Sequence, residues 1–249
     1  MSTHIVQKYD DELKKLATLI VQMGGMAESQ LASAVDAVVK RDSDLAHAVI
    51  QGDAKIDVLR NQVDDFAIEL LARRQPMAND LRTIVSALRI SSEIERIGDY
   101  AKNIAKRSLV LNQSPLVRPV HATPRMALLV QAMIKDTLDA YVTQDVPKAD
   151  AVWARDEEVD ELYNSLFREL LTYMMEDPRA ITPCTHLLFI AKNIERIGDH
   201  TTNVAELIHY AVKGEMITEE RPKGDSTAYA LINAPGGNVP GSNPSGGKG

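Results

Sequence analysis

The string Ile-Glu-Arg-Ile-Gly-Asp occurs twice in this chain, at residues 94–99 and 194–199. Each copy lies inside a long segment of helical apolar periodicity, so the chain is constrained to two versions of one helical unit. An asparagine follows each copy, at Asn103 and Asn203. Glu, Asp and Asn at i, i+4 and i+8 form a ladder of oxygen ligands along one stripe of a helix.

The apolar spacing predicts the helices that carry these strings. A first helix over 6–40 places Leu13, Leu16, Ile20, Met23, Met26, Leu31, Val35 and Val38 on one seam. Gly24-Gly25 interrupts it and predicts a kink or a close helix contact. A second helix begins at Asp42 or Ser43, both N-cap types, and runs through Leu45, Val49, Ile56, Leu59, Val63, Phe66 and Leu70 to Arg73-Arg74, with Pro76 beyond. A third carries Leu81, Ile84, Leu88, Ile94, Ile97, Ala101, Ile104 and Leu111 and ends near Asn112, before Pro115 and Pro119.

The second half repeats the plan over 123–143, 147–175 and a sixth helix with Leu187, Ile190, Ile194, Ile197, Val204 and Ile208. Aligned, Asp42, Asp53 and Asp57 fall on Asp145, Asp156 and Asp160. The reading is all-α: two tandem three-helix bundles, 1–114 and 115–218, of six long antiparallel helices. The tail 219–249, rich in Gly, Pro, Ser and Asn, is expected to be disordered.

Charge and cysteine content limit the function. A net charge of −7 and a pI near 5.4 argue against a nucleic-acid binder. Cys184 is the single cysteine, which excludes an internal disulfide framework. No signal-peptide pattern or membrane-length apolar run is legible, so a cytoplasmic protein is expected. One Cys and six His show no nucleophile–base spacing. The tail segment 241–248 only superficially suggests a phosphate loop, because its spacing is wrong and no strand precedes it.

Each half has two acidic i, i+4 pairs: Asp53/Asp57 with Glu95/Asp99, and Asp156/Asp160 with Glu195/Asp199. Counting from the turns at Pro76 and Pro178 sets Asp57 level with Glu95 and Asp53 with Asp99. The same count sets Asp160 level with Glu195 and Asp156 with Asp199, all roughly 26–36 Å from their turn. On a 100° wheel the acids fall away from the apolar seam, so they are expected at or near the surface. Like charges at i, i+4 weaken a helix by ~0.2–0.5 kcal/mol, so four such pairs favour bound cations over a merely solvated face. Hard oxygen ligands without Cys/His spacing suit magnesium, manganese, calcium or iron better than structural zinc.

Gly98 and Gly198 signal either a close helix crossing or room for a bound ion or water. Arg96 and Arg196 either order neighbouring carboxylates by hydrogen bonds or stand as lone solvated arginines. His200, next to Asp199, is read as a surface histidine in preference to an extra ligand. Glu206-x-x-His209 has the form of a ferritin-like metal motif but lacks the required second copy.

Together these residues resemble the PhoU family of phosphate-uptake regulators over about residues 1–217. The resemblance rests on the paired strings, on Gly52-Asp53-Ala-Lys-Ile-Asp57, on Arg155-Asp156-Glu-Glu-Val-Asp160, on residues 74–82 and on Ala191-Lys192-Asn193. It implies tandem three-helix bundles with multinuclear metal clusters held by Asp53, Asp57, Glu95, Asp99, Asp156, Asp160, Glu195 and Asp199, with Asn103 and Asn203 beside them. Magnesium, manganese or iron would be the metals, with zinc and calcium as further candidates. It also implies a non-enzymatic, often dimeric negative regulator of the phosphate-starvation response. Such a protein couples the ATPase subunit of a phosphate ABC transporter to a sensor histidine kinase and reaches the membrane only through partners. The other readings open to the residues are a carboxylate-bridged metal enzyme and a helical scaffold with an acidic surface.

Overall fold

The computed structural model describes residues 2–114 and 123–218; the predicted tail lies outside them. Among the described residues there is no strand. The first half contains α1 (Ser2–Lys40), α2 (Ser43–Gly52), α3 (Ala54–Arg74) and α4 (Asn79–Leu111). The second contains α5 (Thr123–Thr143), α6 (Val146–Ala154), α7 (Asp156–Glu176), a 3₁₀ turn (Pro178–Ala180) and α8 (Ile181–Lys213). The all-α duplicated architecture is as expected, with the second long helix of each half divided into two segments.

Local chemistry explains the matching starts. The Asp42 carboxylate accepts the Leu45 N–H at 2.9 Å, and Asp145 accepts that of Lys148 at 3.0 Å. Each satisfies an otherwise orphaned donor of the first turn. In both halves the residue before this cap is left-handed, with φ 55° at Arg41 and 54° at Gln144.

The division of the second helix is a correction to the continuous pattern read from sequence. At Asp53 the Ile56 N–H bonds the Asp53 carbonyl at 2.9 Å, while the Asp57 N–H reaches the same oxygen only at 3.4 Å. At Arg155 the Glu158 N–H bonds the Arg155 carbonyl at 3.2 Å. These i→i+3 bonds tighten one turn. An apolar repeat that continues on both sides of a single tightened turn cannot reveal it.

The halves meet mainly through α4 and α8, which run antiparallel. Glu93 meets His200 and Asn203, Tyr100 meets Arg196 and His200, and Arg107 meets Phe189, so each step along α4 is a step back along α8. Helices α1 and α5 pack on α4 and α8 and also on each other. One continuous core results, with Ile84, Ile94, Ile97 and Ile104 of α4 and Leu187, Ile190, Ile194 and Ile197 of α8 buried in it. Leu81 leaves the predicted seam and is exposed, in the first turn of α4.

Helix α1 runs unbroken through Gly24-Gly25, and the reason for a glycine lies in Gly24 alone. A Cβ there would collide with the Leu138 side chain on α5, whereas one at Gly25 would meet nothing within 4 Å. Gly25→Ala should therefore stabilise the protein by about 0.5–1 kcal/mol through helix propensity. Gly24→Ala should forfeit that gain and destabilise by about 1–3 kcal/mol through overpacking. Urea midpoints for the two variants test the pair; equal shifts would contradict the close contact.

Candidate metal centre

The register predicted from the turns is reproduced. In the first half the Lys102 ammonium bridges the Asp53 carboxylate of the preceding segment and Asp99 of α4, the latter at 3.0 Å. Asp53 and Asp99 are thus level, and Glu95 feels the charges of Asp99 and Asp57. In the second half Glu195 feels those of Asp199 and Asp160, and Thr202 donates to Asp156 at 3.3 Å.

The expected outer face is corrected. Asp57 is exposed, but Asp53, Asp156, Asp160 and Glu195 are only 4%, 3%, 5% and 6% exposed. The wheel measured their angle from one apolar seam, yet α8 is packed by α4, α5, α6 and α7 together. A helix covered on so many sides has no outer face, and Glu195 lies under α7 instead of in water.

Asn203 donates through Nδ2 to Glu93 at 2.9 Å, across the two halves, and Asn103 lines a groove with Tyr100 and Arg107. His200 is likewise no simple surface residue: its Nδ1 bonds Glu93 at 2.7 Å and its ring stacks on Tyr100 with centroids 5.4 Å apart. Glu93 carries no pattern signal because its partners come from the other repeat. Burial would raise its pKa, but the bonds from His200 and Asn203 outweigh it and hold the carboxyl below its usual value.

Arg96 and Arg196 are exposed and order none of the candidate carboxylates by ion pairing; Arg196 lies 5.6 Å over Tyr100. Glu206 accepts the Trp153 indole N–H at 3.0 Å and His209 pairs with Asp150 at 2.8 Å, so the ExxH pair is structural. Gly98 is explained by close packing, since a Cβ would come within 2.8 Å of Ile56 and 3.4 Å of Asp53 Oδ1. Gly198 has only ordinary contacts with Val159 and Val130.

The two acid sets differ in how they are neutralised. In the first, Lys102 holds Asp53 and Asp99 and Arg60 lies 3.6 Å from Glu95. Hydrogen bonding to Asp53 raises the Lys102 pKa, which keeps the ammonium charged. In the second, Thr202 stands at the Lys102 position and Tyr163 at the Arg60 position. One ammonium, Lys192, reaches Glu195 Oε1 at 2.8 Å, while buried Glu195 Oε2 has no hydrogen-bond partner among the described residues. Burial, with Asp199 adding to it against the Lys192 bond, pushes the Glu195 carboxyl up to about 7.

Among the described residues no three His, Cys, Asp or Glu side chains already stand as a metal-holding group. The all-oxygen donors and the orphaned Glu195 oxygen fit a hard cation in the second half. In the first half Lys102 already places a cation between the acids.

A duplicated helical bundle with paired carboxylates at matching heights defines the class of this protein, and comparison with known proteins gives its family. The PhoU domain model matches residues 20–108 and 123–208. A phosphate-specific transport system accessory protein PhoU homolog of Caulobacter vibrioides is 54% identical over 226 residues, covering 90% of this chain and 98% of that protein. The Escherichia coli K12 accessory protein PhoU is 37% identical over 218 residues, covering 86% and 89%. The crystal structure of PhoU from Pseudomonas aeruginosa superposes with a TM-score of 0.79 at 38% identity, over 83% of this chain and 100% of that one. The chain belongs to the PhoU family.

The Glu195 environment sets a pH dependence. A carboxyl whose folded pKa is about 7, against an ordinary 4.5, keeps its proton longer when folded. Its contribution is complete below the unfolded value and is lost as pH rises through 7. Glu195→Gln cannot ionise, so in chelator-treated protein it should gain about 1–3 kcal/mol on wild type between pH 5 and pH 8. Denaturant midpoints at the two pH values measure this, and a pH-independent difference would contradict a strained buried acid.

Proposed function

We propose that this chain is a cytoplasmic, non-enzymatic, homodimeric regulator of phosphate uptake. In this reading it links the ATPase subunit of a phosphate ABC transporter to a sensor histidine kinase and represses the phosphate-starvation response when phosphate is plentiful. The observation that carries the reading is the match along nearly the whole length of relatives named as accessory proteins of the phosphate-specific transport system. No helix among the described residues is long and apolar enough to cross a membrane, which agrees with attachment through partners.

A metal enzyme is the competing reading. A cavity of about 750 Å³ is lined by Trp153, Asp150, His209 and residues 215–218, and none of the candidate acids lines it. Carboxylates that do not line this cavity favour an adaptor. Affinity capture with the tagged chain from phosphate-replete cells should recover both the transporter ATPase and the kinase. Recovery of neither would overturn the regulatory reading.

In the same proposal, a magnesium, manganese or iron ion is held in the second half by Asp156, Asp160, Glu195 and Asp199. The bound cation would supply charge neutralisation to a largely buried acid set and a partner for the orphaned Glu195 Oε2. In the first set, Asp53, Asp57, Glu95 and Asp99, Lys102 already bonds two of the acids and Arg60 lies near a third. Elemental analysis of protein purified without chelator tests the assignment. Glu195→Ala/Asp199→Ala should lose the metal, with affinity down about 100-fold or more, since even supporting residues are worth 10–100-fold. Glu95→Ala/Asp99→Ala should retain it, and Lys102→Thr should gain metal in the first half. Equal, negligible metal in all four proteins would remove the metal from the proposal and leave the adaptor role to the capture experiment.

A further inference from the structure

The internal repeat supplies its own comparison at the α4–α8 crossing, where each side has a counterpart at an offset of about one hundred residues. On one side the Glu93 carboxylate of α4 meets His200 and Asn203 of α8. The counterparts of these three residues are Asn193, Tyr100 and Asn103. They line a groove of about 410 Å³ together with Lys106, Arg107, Phe189, Lys192 and Arg196. Where one side has a carboxylate, the other has a neutral amide, and four basic side chains surround it.

Among the described residues no Asp or Glu lines this groove. Lys192 is held by Glu195 at 2.8 Å. The Arg107 guanidinium lies 4.1 Å over the Phe189 ring and Arg196 lies over Tyr100, and neither they nor Lys106 form an ion pair among the described residues. Asn193 is only 9% exposed and lines this groove. In a chain of 35 acidic and 28 basic residues, three cations left together without a carboxylate are a local reversal of charge.

We propose that this groove is a binding site for a phosphate-type oxyanion, which takes on this side the place that the Glu93 carboxylate takes on the other. Two guanidinium forks and an ammonium supply charge-assisted donors, and the amides of Asn103 and Asn193 and the Tyr100 hydroxyl supply neutral ones. A carboxylate would bring a single negative charge, whereas three uncompensated cations call for a dianion or more. The phosphoryl group could arrive as the free ion or on a larger carrier such as a nucleotide, since the groove has room for both. This inference rests neither on the metal nor on the regulatory partners.

Calorimetric titration of the chelator-treated full chain with orthophosphate, diphosphate and ATP tests it. At least one should bind saturably at one site per chain. Arg107→Gln/Arg196→Gln should weaken that binding at least about tenfold through lost charge-assisted bonds. Asn193→Glu should abolish it, because the new carboxylate reproduces Glu93 and fills the site from within. The same variant should melt at or above the wild-type temperature without ligand. Preference for orthophosphate would identify the free ion as ligand and preference for ATP a carried phosphoryl group, and either supports the site. Absence of saturable binding by all three, or binding unchanged in the arginine double variant, would overturn it. Should Asn193→Glu fail to fold, the double variant decides alone.

Discussion

Helices α4 and α8, 33 residues each, lie antiparallel with one copy of the repeated string on each. Their crossing relates the two halves so that a residue of one repeat faces the opposite repeat across a local pseudo-twofold. Ile94, Ile97, Ile194 and Ile197 are buried and hold this contact by apolar burial, each worth about 1.5–3 kcal/mol. With those four inside, the intervening Glu95 and Glu195 are directed toward the flanks, where α3 and α7 bring up the other acids. The level match of the carboxylates is thus a consequence of the core contact and of the turn lengths.

Duplication then allowed the halves to diverge at the sites while the packing stayed alike. Buried like charges carry a desolvation penalty that only paired cations or protonation can relieve. In the first half Lys102 bonds Asp53 and Asp99 and Arg60 lies near Glu95, whose pKa burial still raises. The second has Thr202 and Tyr163 at those positions and Lys192 on Glu195, which burial pushes up to about 7. The same kind of divergence separates Glu93 from Asn193: one repeat contains an anion that the other lacks, and the basic groove is the result.

Much of this was legible in the sequence, and the boundary of legibility has a physical cause. Period and capping residues gave the helices, because Asp42 and Asp145 act on backbone within three residues. Counting from Pro76 and Pro178 gave the register, because a helix has a fixed rise. What failed required knowledge of a neighbour. The burial of Asp156 and Glu195 depends on how many helices cover α8. Asn203 and His200 bond Glu93, a residue of the other repeat. The tightened turns at Asp53 and Arg155 shift one hydrogen bond without disturbing the apolar period.

Positions that match between the repeats and positions that differ divide the work of the molecule. Asp42 and Asp145, Ile94 and Ile194, Ile97 and Ile197 match, and each is occupied in starting a helix or filling the core. Lys102 and Thr202, Arg60 and Tyr163, Glu93 and Asn193 do not match, and none of these differences is required by packing, since both versions sit in the same helical frame. Each changes the charge available at a buried or half-buried spot. Lys192 joins two regions of unlike charge, with its ammonium on Glu195 and its side chain along the basic groove. The second acid set and the groove therefore share one side chain.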